Sequence, residues 1–99
     1  MMKLILTWDI KPGHEQDYFA YVLQEYLPQL NKFGFEVTDA WVTAFGERPQ
    51  VLLGAVMESR FKARKVLGSD EWAQVNEQLM AYVDNMEVKL APHKGNFQF

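Results

Sequence analysis

The sequence predicts one α+β domain of ferredoxin-like β-α-β-β-α-β order, a four-stranded antiparallel sheet with its helices on one face. Three observations predict it. Short apolar runs rich in β-formers alternate with longer segments of helical periodicity. A tight Gly46-Glu47-Arg48-Pro49 connection near the midpoint makes its two neighbours an antiparallel hairpin. Each half of the chain then reads strand, helix, strand, the split βαβ pattern. Ninety-nine residues suffice for one such domain, 1–99, and no more.

Residues 3–10, KLILTWDI, form the first strand and stop at the Pro12-Gly13 turn. Glu15 and Asp17 follow in a helical first turn, where they suit the positive end of the dipole. Apolar residues then fall at 19, 22, 23, 26, 27, 30 and 33, the stripe of an amphipathic helix over about 14–33. Pro28 removes one hydrogen bond from that helix, so a kink or break is expected there. Gly34 is placed to close it. Residues 35–45 and 50–58 read as the second and third strands. A short helix over about 60–67 ends at Gly68, and Ser69 caps the next, with Asp70 and Glu71 in its first turn. The stripe Trp72, Val75, Asn76, Leu79, Val83 carries that helix towards Met86, and 87–91 alternate as the fourth strand.

Composition narrows the function classes. With 48% apolar, 14% aromatic and 23% charged residues, the chain is a folding sequence and not a disordered one. A net charge of −3, with the basic residues scattered apart from Arg60, Lys62, Arg64 and Lys65, argues against a nucleic-acid partner; that group reads as a solvated helix face. The absence of cysteine excludes disulfides, thiolate catalysis and Cys-based metal sites. The start, Met-Met-Lys, runs directly into a strand, and no apolar stretch approaches ~18 residues. A cytoplasmic protein with no membrane partner is expected.

The strand faces carry the most information. In the first strand Leu4, Leu6, Trp8 and Ile10 share one face. In the second, Phe35, Val37, Trp41 and Phe45 oppose Thr38, Ala40, Val42 and Ala44; in the third, Val51, Leu53, Ala55 and Met57 oppose Leu52, Gly54 and Val56. Neither face of the hairpin is polar. Helices cover one face, and a bare apolar second face is what soluble monomers avoid. A second copy, related by a two-fold axis, is expected to cover it, with Thr38, Ala40, Val42, Ala44, Leu52, Gly54 and Val56 at the centre. The tail Gly95–Phe99 alternates well enough to cross to that copy as an added strand.

So ordered, the chain resembles the dimeric α+β barrel superfamily, through TWDIKPGHEQDY, TAFGERPQVLLGAV and KVLGSDEWAQV. Within it, NIPSNAP-like and antibiotic-biosynthesis-monooxygenase-like small proteins are the most similar. The resemblance implies homodimers with a cavity between helices and sheet. It also implies that some members are cofactor-independent oxygenases of aromatic substrates, while others degrade haem. A shared fold does not transfer chemistry. Monooxygenase members gather Asn, Trp and His in the cavity, and candidates of those types here include Trp8, Trp41, Trp72, Asn76, His14 and His93. No axial haem ligand stands at a recognisable spacing, and no cofactor is expected.

Candidate site residues follow. Trp8, Trp41, Trp72 and Asn76 are expected around a ligand pocket, the tryptophans serving the core first. Asn76 sits on an apolar stripe, so its amide either points into the cavity or reaches water at the stripe edge. Asp39, in mid-strand, is either a base or half of an ion pair. His14, at a helix start, is either a neutral base or an exposed side chain. His93 reads the same way, and two separated histidines offer no metal spacing. No GxGxxG, P-loop, HExxH or GxSxG motif occurs. The expected function is binding of a small apolar or aromatic metabolite by a homodimer. The alternative is a cofactor-independent monooxygenase of quinol- or anthrone-like substrates, with Asn76, Trp41 and His14 or Asp39 acting; a dimeric scaffold is a third reading.

Overall fold

β1 (Met2–Ile10) lies inside the sheet, hydrogen-bonded on one side to β3 (Gln50–Met57) and on the other to β4 (Val83–Pro92). β2 (Glu36–Thr43) pairs with the free edge of β3, giving the antiparallel order β2-β3-β1-β4. The computed structural model describes residues 1–43 and 50–93; the Gly46–Pro49 turn, Ala44, Phe45 and the Gly95–Phe99 tail lie outside them. The ferredoxin-like order and the α+β class are as the sequence predicts.

Both helical segments pack on one face. Leu4, Leu6, Trp8 and Ile10 of β1 join Val51, Leu53, Ala55 and Met57 of β3 in a single buried cluster with Tyr18, Val22, Tyr26, Leu30, Trp72 and Leu79 from the helices. The first segment is not a uniform α-helix. It runs as α1 (Glu15–Tyr21), one π-helical turn (Val22–Tyr26) and α2 (Leu27–Lys32). The inward residues Tyr18, Val22, Tyr26 and Leu30 are spaced by four throughout. On a straight α-helix that spacing drifts by about 40° per step, which would carry Leu30 off the sheet. The wider π turn, marked by Leu27 N–H donating to the Val22 carbonyl, takes up the drift. The expected stripe is corrected accordingly: Phe19 and Leu23 are exposed, and Tyr18 is the inward residue. Pro28 follows the π turn at the start of α2, and Gly34 closes that helix at φ +98°, a value glycine adopts without strain.

α3 (Arg60–Leu67) is capped by Ser59, whose Oγ accepts from Lys62 N–H at 3.1 Å. α4 (Asp70–Leu79) is capped by Ser69 in the same way, from Trp72 N–H at 3.2 Å. α4 ends at Leu79, seven residues short of the expected Met86. Met80–Tyr82 turn the chain, and Val83, which extends the helical stripe in sequence, instead opens β4 opposite Ile10. β4 then takes an extra residue between Asp84 and Glu87, with Asn85 in the left-handed region at φ 58°.

A second irregularity decides the site. Val37 pairs with Ala55 but Asp39 pairs with Gly54, so Thr38 is an extra residue in β2. Beyond such a bulge every side chain changes face. Ala40 and Val42, expected on the outer face, pair with Leu53 and Val51 and lie on the helix side; Asp39 and Trp41, expected inside, pair with Gly54 and Leu52 and lie outside. Gly54 is buried beneath the side chains of Asp39 and Lys3: a Cβ there would come within 2.8 Å of Asp39 Oδ2 and 3.0 Å of Lys3 Cε. Gly54→Ala is therefore expected to cost about 1–3 kcal/mol of stability in urea unfolding, the range for overpacking, and the loss should shrink in an Asp39→Ala background.

Candidate ligand-binding site

The helix side of the sheet holds a chain of aromatic and amide groups. Trp8 Nε1 donates to the Tyr18 hydroxyl at 2.8 Å, and the Trp8 ring meets Tyr26 edge-on at 5.8 Å. The Tyr26 hydroxyl donates to Asn76 Oδ1 at 2.8 Å, and Asn76 Nδ2 donates to the Trp72 carbonyl at 2.8 Å. Trp72 packs edge-on against Phe33. Burial pushes the Tyr18 and Tyr21 phenols up to about 12, and Tyr26 further in the same direction. Tyr21 donates to the Val75 carbonyl at 2.7 Å. Among the described residues no buried side-chain polar atom lacks a partner. Asn76 thus ties the π turn to α4, with both ends of its amide engaged.

The sheet separates these groups from Asp39 and Trp41. His14 stands exposed before α1 and makes no side-chain cap, and His93 follows β4, its N–H donating to the Met1 carbonyl at 2.9 Å. The expected set is therefore divided: Trp8, Trp72 and Asn76 are brought together on the helix side, Trp41 and Asp39 on the outer face, and His14 joins neither. Among the described residues no three His, Cys, Asp or Glu side chains cluster to hold a metal.

The outer face carries a groove of about 600 Å³ lined by Thr7, Asp39, Trp41, Thr43, Gln50, Val51 and Leu52. Trp41 is its largest wall and is 65% exposed. At one end Lys3, only 5% exposed, reaches across Gly54 to form an ion pair with Asp39 and donates to Thr38 Oγ1 at 2.9 Å. Thr38 Oγ1 in turn donates to Asp39 Oδ2 at 3.0 Å. The bulge makes this possible, because it brings Thr38 and Asp39 opposite the one residue in β3 without a side chain. The Lys3 hydrogen bond, helped by Thr38 and by the nearby charge of His93, holds the Asp39 carboxyl below its usual range against the opposing effect of burial. Lys3 was not singled out in the sequence, and Gly54 was read only as one of the small residues of the expected interface. A glycine inside a strand was the available signal, since it marks a bulge or a close approach.

The fold matches solved structures along its whole length. A NIPSNAP domain protein from Burkholderia xenovorans superposes with a TM-score of 0.70 at 12% identity, covering all of both chains. A NIPSNAP family protein from Agrobacterium tumefaciens gives 0.67 at 18% identity, over 94% of this chain and 85% of that one. The fold is one that NIPSNAP proteins share. An antibiotic biosynthesis monooxygenase-like protein from Deinococcus radiodurans shares it, at 0.70 and 10% identity over 100% and 98% of the two chains. No family model and no curated protein matches the sequence. At these identities the likeness is one of fold.

The pair has a pH signature. A carboxyl whose pKa is lower folded than unfolded adds stability above its unfolded value, about 3.9, and loses it as pH falls through the folded pKa. The stability gap between the native chain and Asp39→Asn, read by urea unfolding across pH, should be widest near neutrality and close below about pH 4.

Proposed function

We propose that this protein is a homodimer that binds a small, flat, apolar or aromatic metabolite on the outer face of its sheet, around Trp41. The observation that carries the reading is the groove itself. It has the size of a small-ligand site, an exposed indole for stacking and the polar side chains Thr7, Asp39, Thr43 and Gln50 beside it. The interior behind the sheet, where the sequence suggests a pocket, is occupied by Trp8, Tyr18 and Tyr26. Leu52, Val56, Ile5 and Trp41 leave the outer face apolar around the Lys3–Asp39 pair, and a second copy of the same face is the covering that closes the groove from solvent.

Binding is favoured over the monooxygenase reading by the state of Asp39. An ionised carboxylate has acceptor sites left after bonding Lys3 and Thr38, so it can take a hydrogen bond from a ligand hydroxyl. The same ion pair lowers its basicity and makes it a poor group for drawing a proton from a phenol. Oxygen chemistry without a metal needs that deprotonation.

Two measurements test the reading. Sedimentation equilibrium should show a dimer at micromolar concentration and a monomer for Leu52→Lys; a monomeric native chain would overturn the dimer. Calorimetric titration with 2-naphthol as the probe should show binding that Trp41→Ala weakens by about twofold to tenfold, the range of one lost stacking contact. Heat changes indifferent to Trp41 would sink the groove assignment.

A further inference from the structure

Phe61 is the most exposed large apolar side chain among the described residues, at 76%. It belongs to α3, which is held to the domain by buried Ala63 and half-buried Val66 and Leu67. At about 100° per residue, Phe61 lies about 160° around the helix from Ala63, at the crest of the solvent side. Lys65 and Lys62 flank the crest on one side, and Arg64 and Arg60 on the other. All four are exposed, and none has a side-chain hydrogen bond or ion pair among the described residues. They are four of the chain's ten Lys and Arg; the other six face thirteen Asp and Glu, so this is a basic patch on an otherwise acidic protein.

An apolar tip ringed by cations is the arrangement that an anionic bilayer surface complements. The aromatic ring enters the boundary between headgroups and acyl chains, and the cations lie at phosphate level. We propose that α3 docks this protein onto an anionic lipid surface through Phe61, Arg60, Lys62, Arg64 and Lys65. The contact is peripheral, because no helix among the described residues is long and apolar enough to cross a membrane. The shape of the patch favours lipid over other polyanions. It is a single convex helix of two turns, with no groove to track a nucleic-acid backbone and no second aromatic to stack a base. A planar, deformable surface accepts a crest that a rigid partner would need a matching hollow to receive. The local rigidity is supplied by the Ser59 cap. The sequence alone assigns these cations to a solvated face; the exposure of Phe61 at their centre is what changes the assignment.

Sedimentation with sucrose-loaded vesicles tests it. The native chain should bind vesicles containing about one-third phosphatidylserine, not pure phosphatidylcholine, and binding should weaken as salt rises. Phe61→Ser should weaken it by about tenfold, and the pair Arg64→Glu and Lys65→Glu should abolish it. Circular dichroism checks that these solvent-facing variants stay folded, and Phe61→Gln replaces Phe61→Ser should that variant fail. Three results would overturn the proposal: no binding of the native chain to anionic vesicles, binding that Phe61 substitutions leave unchanged, or displacement by an oligonucleotide at equal phosphate concentration.

Discussion

A lysine and an aspartate lying across a glycine organise the outer half of this domain. Lys3 sits on β1, Gly54 on β3 and Asp39 on β2, so the pair spans three strands where the sheet offers no side chain to fill the middle. Burying the Lys3 charge is costly unless it meets an opposite charge and a further partner, and Asp39, with a quarter of its side chain exposed, supplies the first. Thr38 supplies the third member, and it can do so only because β2 carries an extra residue there. The bulge, the glycine and the pair are therefore one device. Its side effect is to reverse the alternation of everything after it in β2, which is how an indole comes to stand on the outer surface.

Much of this was legible in the sequence. The β-α-β-β-α-β order, the cap at Ser69 and the closing Gly34 all have local chemical signals, and the structure carries them. What was not legible has physical reasons. A bulge is detected from sequence as a break in the phase of polar and apolar residues; Thr38-Asp39 is such a break, but the run Ala40-Trp41-Val42 after it fits either phase and does not say which side chains turn inward. Val83 continues the spacing of Trp72, Asn76 and Leu79, and periodicity alone does not say where a helix hands its last apolar residue to a strand. The expected stripe of the first helix holds the inward Val22, Tyr26 and Leu30 but takes in the exposed Phe19 and Leu23 and misses Tyr18, because a π turn conserves a spacing of four where an α-helix wants 3.6.

The site residues divide along the same line. Asn76 was marked by its polarity on an apolar stripe, and the structure accounts for it by two hydrogen bonds that join the π turn to α4. Asp39 was marked by its place in mid-strand, and the ion-pair alternative is the one it adopts. Trp41 was grouped with Trp8 and Trp72 on composition, yet the sheet stands between it and them. Side-chain type announced that these residues were unusual. Only the strand register said which of them share a surface.

The position of β1 has a consequence for how the molecule comes into being. Its partners are remote: Met2 pairs with Met57 on one side and with Pro92 on the other. On a ribosome β1 emerges before either neighbour. Long-range pairing of this kind is slow, and an unpaired apolar strand is open to the wrong partners. Of the elements that pack on β1, only the first helical segment precedes β3 in the chain, so β1 gains its strand partners late, first β3 and last β4.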